Sequence, residues 1–330
     1  MNGLTKTAAE SRRKILEVAE GPGPFLIAFH RRPDGDALGS GLALKLWLEG
    51  RGRRAEVVNS GGVPDPFGFL PSADRVLLET PPDLLGCTAF VLDTPVVSRA
   101  AVAEGVLERA ALVVNIDHHP DNTNYGDVNL VDPSASSVAL IIYELLADTG
   151  ELSAAISSLL YVGAMTDTGG FRFGNTGART LRAAAELVAL GASPSGLANA
   201  VYGEQPLGRL RLLGMVLSTT VTELDGKVAV SVLTERMKSD AGSTGEDIEG
   251  MASFGRLVAG VEVALLLREE GGGVRVSLRS KGTVDVNAIA SRLGGGGHKA
   301  AAGVSLDGPI ESARERLLEA VAETMVREDA

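Results

Sequence analysis

Three short apolar runs constrain this chain most: FLIAF at 25–29, AFVL at 89–92 and ALVVNI at 111–116. Each is nearly continuous rather than alternating, and helix-like segments separate them. This is the pattern of parallel strands buried on both faces. The expected fold class is therefore α/β, with a parallel sheet in the N-terminal half.

Beyond residue 134 the pattern becomes helical. SSVALIIYELLADTG, SAAISSLLYVGAMTDTGG and ARTLRAAAELVALG each close on glycine, at Gly150, Gly169–Gly170 and Gly191, and can flank the sheet. The opening MNGLTKTAAESRRKIL reads as an amphipathic leading helix, and PLGRLRLLGMVLSTTVTEL as a helix leading out of the first domain. From Lys227 onward KVAVSVLT, VEVALLLREE and VRVSLRS read as strands, VNAIASRL as a helix, AAGVSL as a strand, and the stretch from Ile310 as a last helix. With 330 residues, 45% of them hydrophobic, two domains are expected. Their bounds are 1–204 for a catalytic, metal-binding domain, 205–225 for a helical linker and 226–330 for a smaller α+β domain.

Composition narrows the function. The single cysteine, Cys87, permits no internal disulfide and no multi-thiolate zinc site, and reads as a small apolar residue near a strand. No stretch approaches the roughly 20 apolar residues of a membrane span, and the N-terminus lacks the apolar centre of a secretory signal, so the cytoplasm is the expected location. A net charge of −11 argues against tracking along long nucleic acid, which needs a broad basic surface; a short anionic substrate needs only a local basic pocket.

The chemistry is concentrated around four histidines, each inside a dense polar cluster: His30 in HRRPDGDALGS, His118 and His119 in IDHHPDN, and His298 in GGGGHKAAAG. His30, Asp34 and Asp36 follow the first apolar run directly, where the ligand crevice of an open α/β sheet lies. The helix is expected to begin at Ala37, with Gly39 and Ser40 offering free N–H groups to an anion. Read alone, the same turn is equally an ordinary one with Asp36 as helix cap. Asp93 ends the second run and Asp117, His118 and His119 the third, and parallel strands bring such ends together. Asp167 ends a helix in GAMTDTGG, where a carboxylate meets the negative end of the dipole, a penalty a cation would remove. Thr166 and Thr168 read as turn residues. Four aspartates and two histidines from these clusters suit two divalent cations: Mn²⁺ best, with Mg²⁺ or Co²⁺ as alternatives. Paired ions of this kind hydrolyse phosphoesters.

These residues resemble the DHH phosphoesterase superfamily, through HRRPDGDALGS, VLDTP, DHH at 117–119 and MTDTGG, and its DHH-associated C-terminal domain, through SLRSKGTVDVN and GGGGHKAAAG. The resemblance implies that His30, Asp34 and Asp93 hold one metal, and Asp36, Asp93, His118 and Asp167 the other, with Asp93 bridging. It puts His119 beside the reacting phosphate and makes Asp117 the partner that orients a ligand. It assigns substrate binding to Arg279, Ser280 and the glycines leading into His298, Gly295, Gly296 and Gly297. Lys281 adds to the locally basic stretch from Arg275 to Lys299, where the substrate's terminal phosphate or base is expected. The run Gly271 to Gly273 reads as a plain turn.

Length and domain content resemble the nanoRNase type, which degrades RNA of a few nucleotides and also dephosphorylates 3′,5′-bisphosphoadenosine (pAp). A cyclic di-AMP or pApA phosphodiesterase is the near alternative. A RecJ-like exonuclease ranks lower, since aromatics are only 4% of the chain, and the GGGH element argues against a pyrophosphatase. A non-catalytic nucleotide sensor ranks lowest, because no ligand is missing. The resemblance also suggests a homodimer.

Overall fold

The computed structural model describes residues 4–203, 205–243, 248 and 250–328. The chain divides into two compact units, Met1–Glu204 and Gln205–Ala330.

The first unit contains α1 (Leu4–Ala19), β1 (Phe25–Ala28), α2 (Gly35–Gly50), β2 (Ala55–Val58), β3 (Thr88–Leu92), β4 (Leu112–Asp117), β5 (Val128–Val131), α3 (Val138–Leu146), α4 (Ala154–Asp167), α5 (Ala178–Ala189) and α6 (Pro194–Ala198). Its five strands are all parallel, in the order β2-β1-β3-β4-β5. The apolar runs are continuous because both faces are covered. Phe25, Ile27, Phe90, Leu92, Val114 and Ile116 face a core built with Ile15, Leu42, Trp47, Ile141 and Leu159 of the helices. Leu26, Val58, Ala89 and Val91 face a smaller core with Leu84, Ala100, Val106 and Leu107. Helices thus line one face, and short irregular turns the other. Strands β2 and β5 escape the sequence reading because a polar residue interrupts each short run, AEVV and VNLV, whereas the equally short β1 is wholly apolar, FLIA.

The strand order puts β1 beside β3, with the connection from β1 running outward to β2 and that from β3 outward to β4. This is the topological switch point, where loops leave two neighbouring strands in opposite directions and open a crevice.

Helix α2 starts at Gly35, two residues ahead of the expected Ala37. The Asp34 carboxylate accepts from the N–H groups of Asp36 and Ala37, both at 3.0 Å, and so caps the first turn itself. Asp36 is therefore not the cap. Gly39 and Ser40 do not open the helix either; both lie in its second turn, and the Ser40 hydroxyl donates to the carbonyl of Ala37. Gly39 has a different reason to be glycine. A Cβ there would sit 2.4 Å from the Leu159 carbonyl oxygen, and one at Gly35 would sit 2.4 Å from Thr166 Oγ1. Antiparallel α2 and α4 therefore touch almost backbone to backbone, which brings the start of α2 to the end of α4.

The second unit contains α7 (Leu207–Ser218), β6 (Val221–Glu223), β7 (Val228–Leu233), α8 (Glu235–Ala241), β8 (Val263–Glu270), β9 (Gly273–Ser280), α9 (Val286–Arg292), β10 (Gly296–His298), β11 (Ala301–Asp307) and α10 (Ile310–Glu328). Its sheet runs β10-β11-β9-β8-β7-β6, antiparallel except for β7 with β8. On one face Val228, Leu265, Val276 and Val304 pack against Ile289 of α9 and Leu317 and Val321 of α10. On the other, Leu212 and Val216 of α7 pack with Leu233 and Leu266. The segment expected as a linker, 205–225, holds α7 and β6, and both pack inside this unit. No helix among the described residues is long and apolar enough to cross a membrane.

Candidate metal centre

Five elements of the first unit, β1, α2, β3, β4 and α4, deliver polar side chains to the crevice at the carboxyl ends of β1, β3 and β4. His30 follows β1, Asp34 and Asp36 open α2, Asp93 follows β3, His118 and His119 follow β4, and Asp167 ends α4. Their ligand atoms fall into three groups, each within 4.8 Å: His30, Asp34 and Asp93; Asp36, His118 and Asp167; Asp93, His118 and His119.

Asp93 is the centre. It is 3% exposed, and its Oδ2 lies 3.4 Å from His30 Nε2, while Oδ1 lies 3.6 Å from His118 Nε2 and 3.5 Å from His119 Nδ1. Oδ1 has no hydrogen-bond partner. A buried carboxylate oxygen left so is costly unless something cationic meets it. Asp93 also holds a left-handed backbone, φ 50°, while its N–H donates to the Ile116 carbonyl. Strain at a non-glycine residue persists where the surroundings over-determine it.

The neighbouring carboxylates repel one another. Burial, reinforced by the charges of Asp93, Asp167 and Asp34, pushes Asp36 well above the usual carboxylate range; Asp34, whose side chain is 56% exposed, is raised too, by the partial loss of water beside its neighbours and by the charge of Asp93. Asp167 is pushed up to about 7, again chiefly by burial. Asp93 goes the other way: burial opposes its charge, but His30, His118 and His119 outweigh that and hold it low. Acids crowded around imidazoles that can all turn a nitrogen inward, with Asp36 and Asp93 buried among them, are the donor set for divalent cations. These residues fit such ions.

Asp36 serves a second purpose. It is 1% exposed, and its two oxygens accept from the N–H groups of Val138 and Ala139, at 2.6 and 2.8 Å, at the start of α3. His118 Nδ1 lies 3.3 Å from the Ala135 carbonyl, which fixes that nitrogen as the N–H and turns Nε2 to Asp93 and to Asp167, 3.9 Å away. The hydroxyls of Thr166 and Thr168 donate to carbonyls in the last turn of α4.

Asp117 lies behind the centre rather than in it. Fully buried, it accepts on Oδ1 from His118 N, His119 N and His119 Nδ1, the last at 2.8 Å, and on Oδ2 from Asn122. Burial disfavours a charged His119, but this bond and the charges of Asp117, Asp93 and Asp121 prevail and raise it to about 9. Asn115 and Asn122 complete this network; a polar residue inside the apolar run ALVVNI, and one closing IDHHPDN, are the signals that mark them.

In the second unit, Arg279 lies on β9 with its Nη1 donating to the Leu278 carbonyl. Ser280 is 1% exposed, and its hydroxyl accepts from Gly282 N–H, so it closes a turn. Lys281 is exposed. The glycine run is not a loose turn: Gly296–His298 forms β10, paired with Ala301–Gly303 of β11. A Cβ on Gly295 would sit 2.2 Å from the Gly303 carbonyl oxygen. The His298 side chain lies outside the described residues.

Two family models match, the DHH family N-terminal domain over residues 24–164 and the DHHA1 domain over residues 225–327. The chain is 38% identical over 324 residues to the bifunctional oligoribonuclease and PAP phosphatase NrnA of Thermus thermophilus, covering 96% of this chain and 95% of that one. The chain belongs to the DHH family. NrnA of Bacillus subtilis is 33% identical to this DHH-family chain, over 84% of it and 87% of its own length. The crystal structure of an exopolyphosphatase-related protein from Bacteroides fragilis matches the DHH-family chain with a TM-score of 0.90, at 25% identity, over 98% of both chains.

Proposed function

We propose that the protein is a metal-dependent phosphoesterase that hydrolyses short oligoribonucleotides to mononucleotides and removes the 3′-phosphate of pAp to give AMP. The observation that carries this is the buried Asp93 carboxylate, one oxygen unpartnered, ringed by three imidazoles and three further carboxylates. The nearly full-length similarity to two proteins named oligoribonuclease and PAP phosphatase supports the substrate class.

Two divalent cations, Mn²⁺ the best suited with Mg²⁺ or Co²⁺ as alternatives, supply Lewis acidity for in-line displacement at phosphorus. His30, Asp34 and Asp93 are proposed to hold one, and Asp36, Asp93, His118 and Asp167 the other. With Nδ1 taken by Asp117, His119 has Nε2 left for the substrate, and it donates a proton to the departing ribose oxygen. In the second unit Arg279, Lys281, Gly295 to Gly297 and His298 are proposed to receive the substrate's terminal phosphate or base, with Ser280 shaping the turn that presents Lys281.

Hydrolysis with Mn²⁺ of RNA from two nucleotides to long chains, pAp, cyclic di-AMP, pApA and pyrophosphate tests this reading. Short RNA and pAp are expected to be hydrolysed fastest, and Asp93→Asn to lower every rate at least about 100-fold. Fastest turnover of the cyclic dinucleotide or of long RNA would overturn the substrate assignment.

A further inference from the structure

The network behind Asp117 extends further than a carboxylate that orients a histidine requires. Asn122 spends both amide N–H groups inside it: its Nδ2 donates to Asp117 Oδ2 at 2.5 Å and to Asn115 Oδ1 at 2.9 Å. Its Oδ1 accepts from the N–H of Asn124, at 2.7 Å, so the amide is held in one orientation. Asn115, wholly buried on β4, places its own Nδ2 within 3.1 Å of the Val91 carbonyl, 3.3 Å of the Thr94 carbonyl and 3.2 Å of the Tyr125 hydroxyl. Tyr125 in turn donates to the same Thr94 carbonyl. Val91 and Thr94 flank Asp93 in the chain. One set of bonds therefore ties the loop that carries Asp93 to the carboxylate that holds His119.

We infer that Asn122 is a positioning residue for the proton donor. It fixes the rotamer of Asp117, and Asp117 then fixes which nitrogen of His119 bears the outward N–H. The backbone N–H groups of His118 and His119 hold Oδ1, and the Asn122 N–H on Oδ2 restrains the other end, so the carboxylate plane cannot tilt away from His119 Nδ1. The inference rests on the reading of His119 given above. In that step water's oxygen bonds to phosphorus and one of its protons goes to solvent. The bond from phosphorus to the ribose oxygen breaks with its electron pair, and that oxygen takes the proton from His119 Nε2, which solvent restores.

A proton donor matters only when the leaving group needs a proton, and this separates positioning from mere structural support. The test compares kcat on a ribodinucleotide with kcat on the p-nitrophenyl ester of a nucleoside 5′-phosphate, whose leaving group departs as a stable anion. Asn122→Ala is expected to lower kcat on the dinucleotide about 10- to 100-fold, to change kcat on the aryl ester by less than about threefold, and to leave KM and bound Mn²⁺ nearly unchanged. Asn122→Asp, which keeps the shape but sets a carboxylate against Asp117, should show the same split or a larger one. Equal loss on both substrates, or no loss on either, would overturn the inference. His119→Ala locates such a failure. If it splits the two substrates and Asn122→Ala does not, Asn122 has no positioning role; if it does not split them, the role given to His119 is itself wrong.

Discussion

At the scale of single residues, the site depends on one crossing as much as on its ligands. Gly39 lets α2 approach α4 so closely that Asp34 and Asp36 reach the end of the helix carrying Asp167. Gly39→Ala must push a methyl group into the Leu159 carbonyl and separate the helices. The expected cost is about 1–3 kcal/mol, typical of overpacking, together with weaker Mn²⁺ binding; thermal melts with and without Mn²⁺ would reveal both, and unchanged melts would refute the account. The candidate ligands are legible in the sequence because each is a polar residue where an apolar run or a helix stops. The roles of Asn115 and Asn122 are not, since Asn115 bonds to Val91 and Thr94 of the neighbouring strand and its loop, which only the folded chain brings near, and Asn122 acts through it. Helix α2 starts ahead of the expected Ala37 for a related reason: Asp34 reads as a loop residue, and only its carboxylate bonds to Asp36 and Ala37 N–H make it the cap of the turn it precedes.

Among elements, α5 is fastened to the rest of the first unit by Arg179. Its guanidinium meets Glu144 of α3 at 2.5 and 2.6 Å and Asp132, beyond β5, at 2.8 Å, while Arg12 of α1 reaches the same Glu144. Burial would raise both carboxyls. The Arg179 and Arg12 bonds to Glu144, and the Ser134 and Arg179 bonds to Asp132, outweigh it and hold both below their ordinary values. Depressed carboxyls contribute stability that is full above their unfolded values, near about pH 4, and that is lost as pH falls through the folded ones. Arg179→Met is therefore expected to cost about 1–2 kcal/mol near neutrality and to flatten the loss of stability on acidification. Urea midpoints across the acid range check this; parallel curves for the two proteins would dismiss it. No sequence pattern announces such a clamp, because its members are far apart in the chain.

For the whole molecule, unbroken apolar runs were legible and interrupted ones were not. Strands β1, β3, β4, β8 and β9 carry enough apolar residues to declare themselves, whereas the short β2, β5, β6 and β10 are broken by polar residues or built of glycine and exist through their neighbours. The same limitation affects the boundary. Helix α7 and strand β6 read as a connector, yet Leu212 and Val216 cover one face of the second sheet and β6 extends its edge. A chain beginning at Gln205 is accordingly expected to unfold as one cooperative transition, and one beginning at residue 226 to lose that cooperativity and bind a hydrophobic dye. Equal melting of the two would assign α7 no part in the second unit. The crevice at the switch point has a consequence in time as well as in space. Its groups run from His30 to Asp167, so during synthesis the centre has no complete set of groups until α4 has left the ribosome. Because parallel pairing closes long loops, that centre is also expected to form late on folding. An ion held there would act late, slowing departure from the native state more than it hastens arrival.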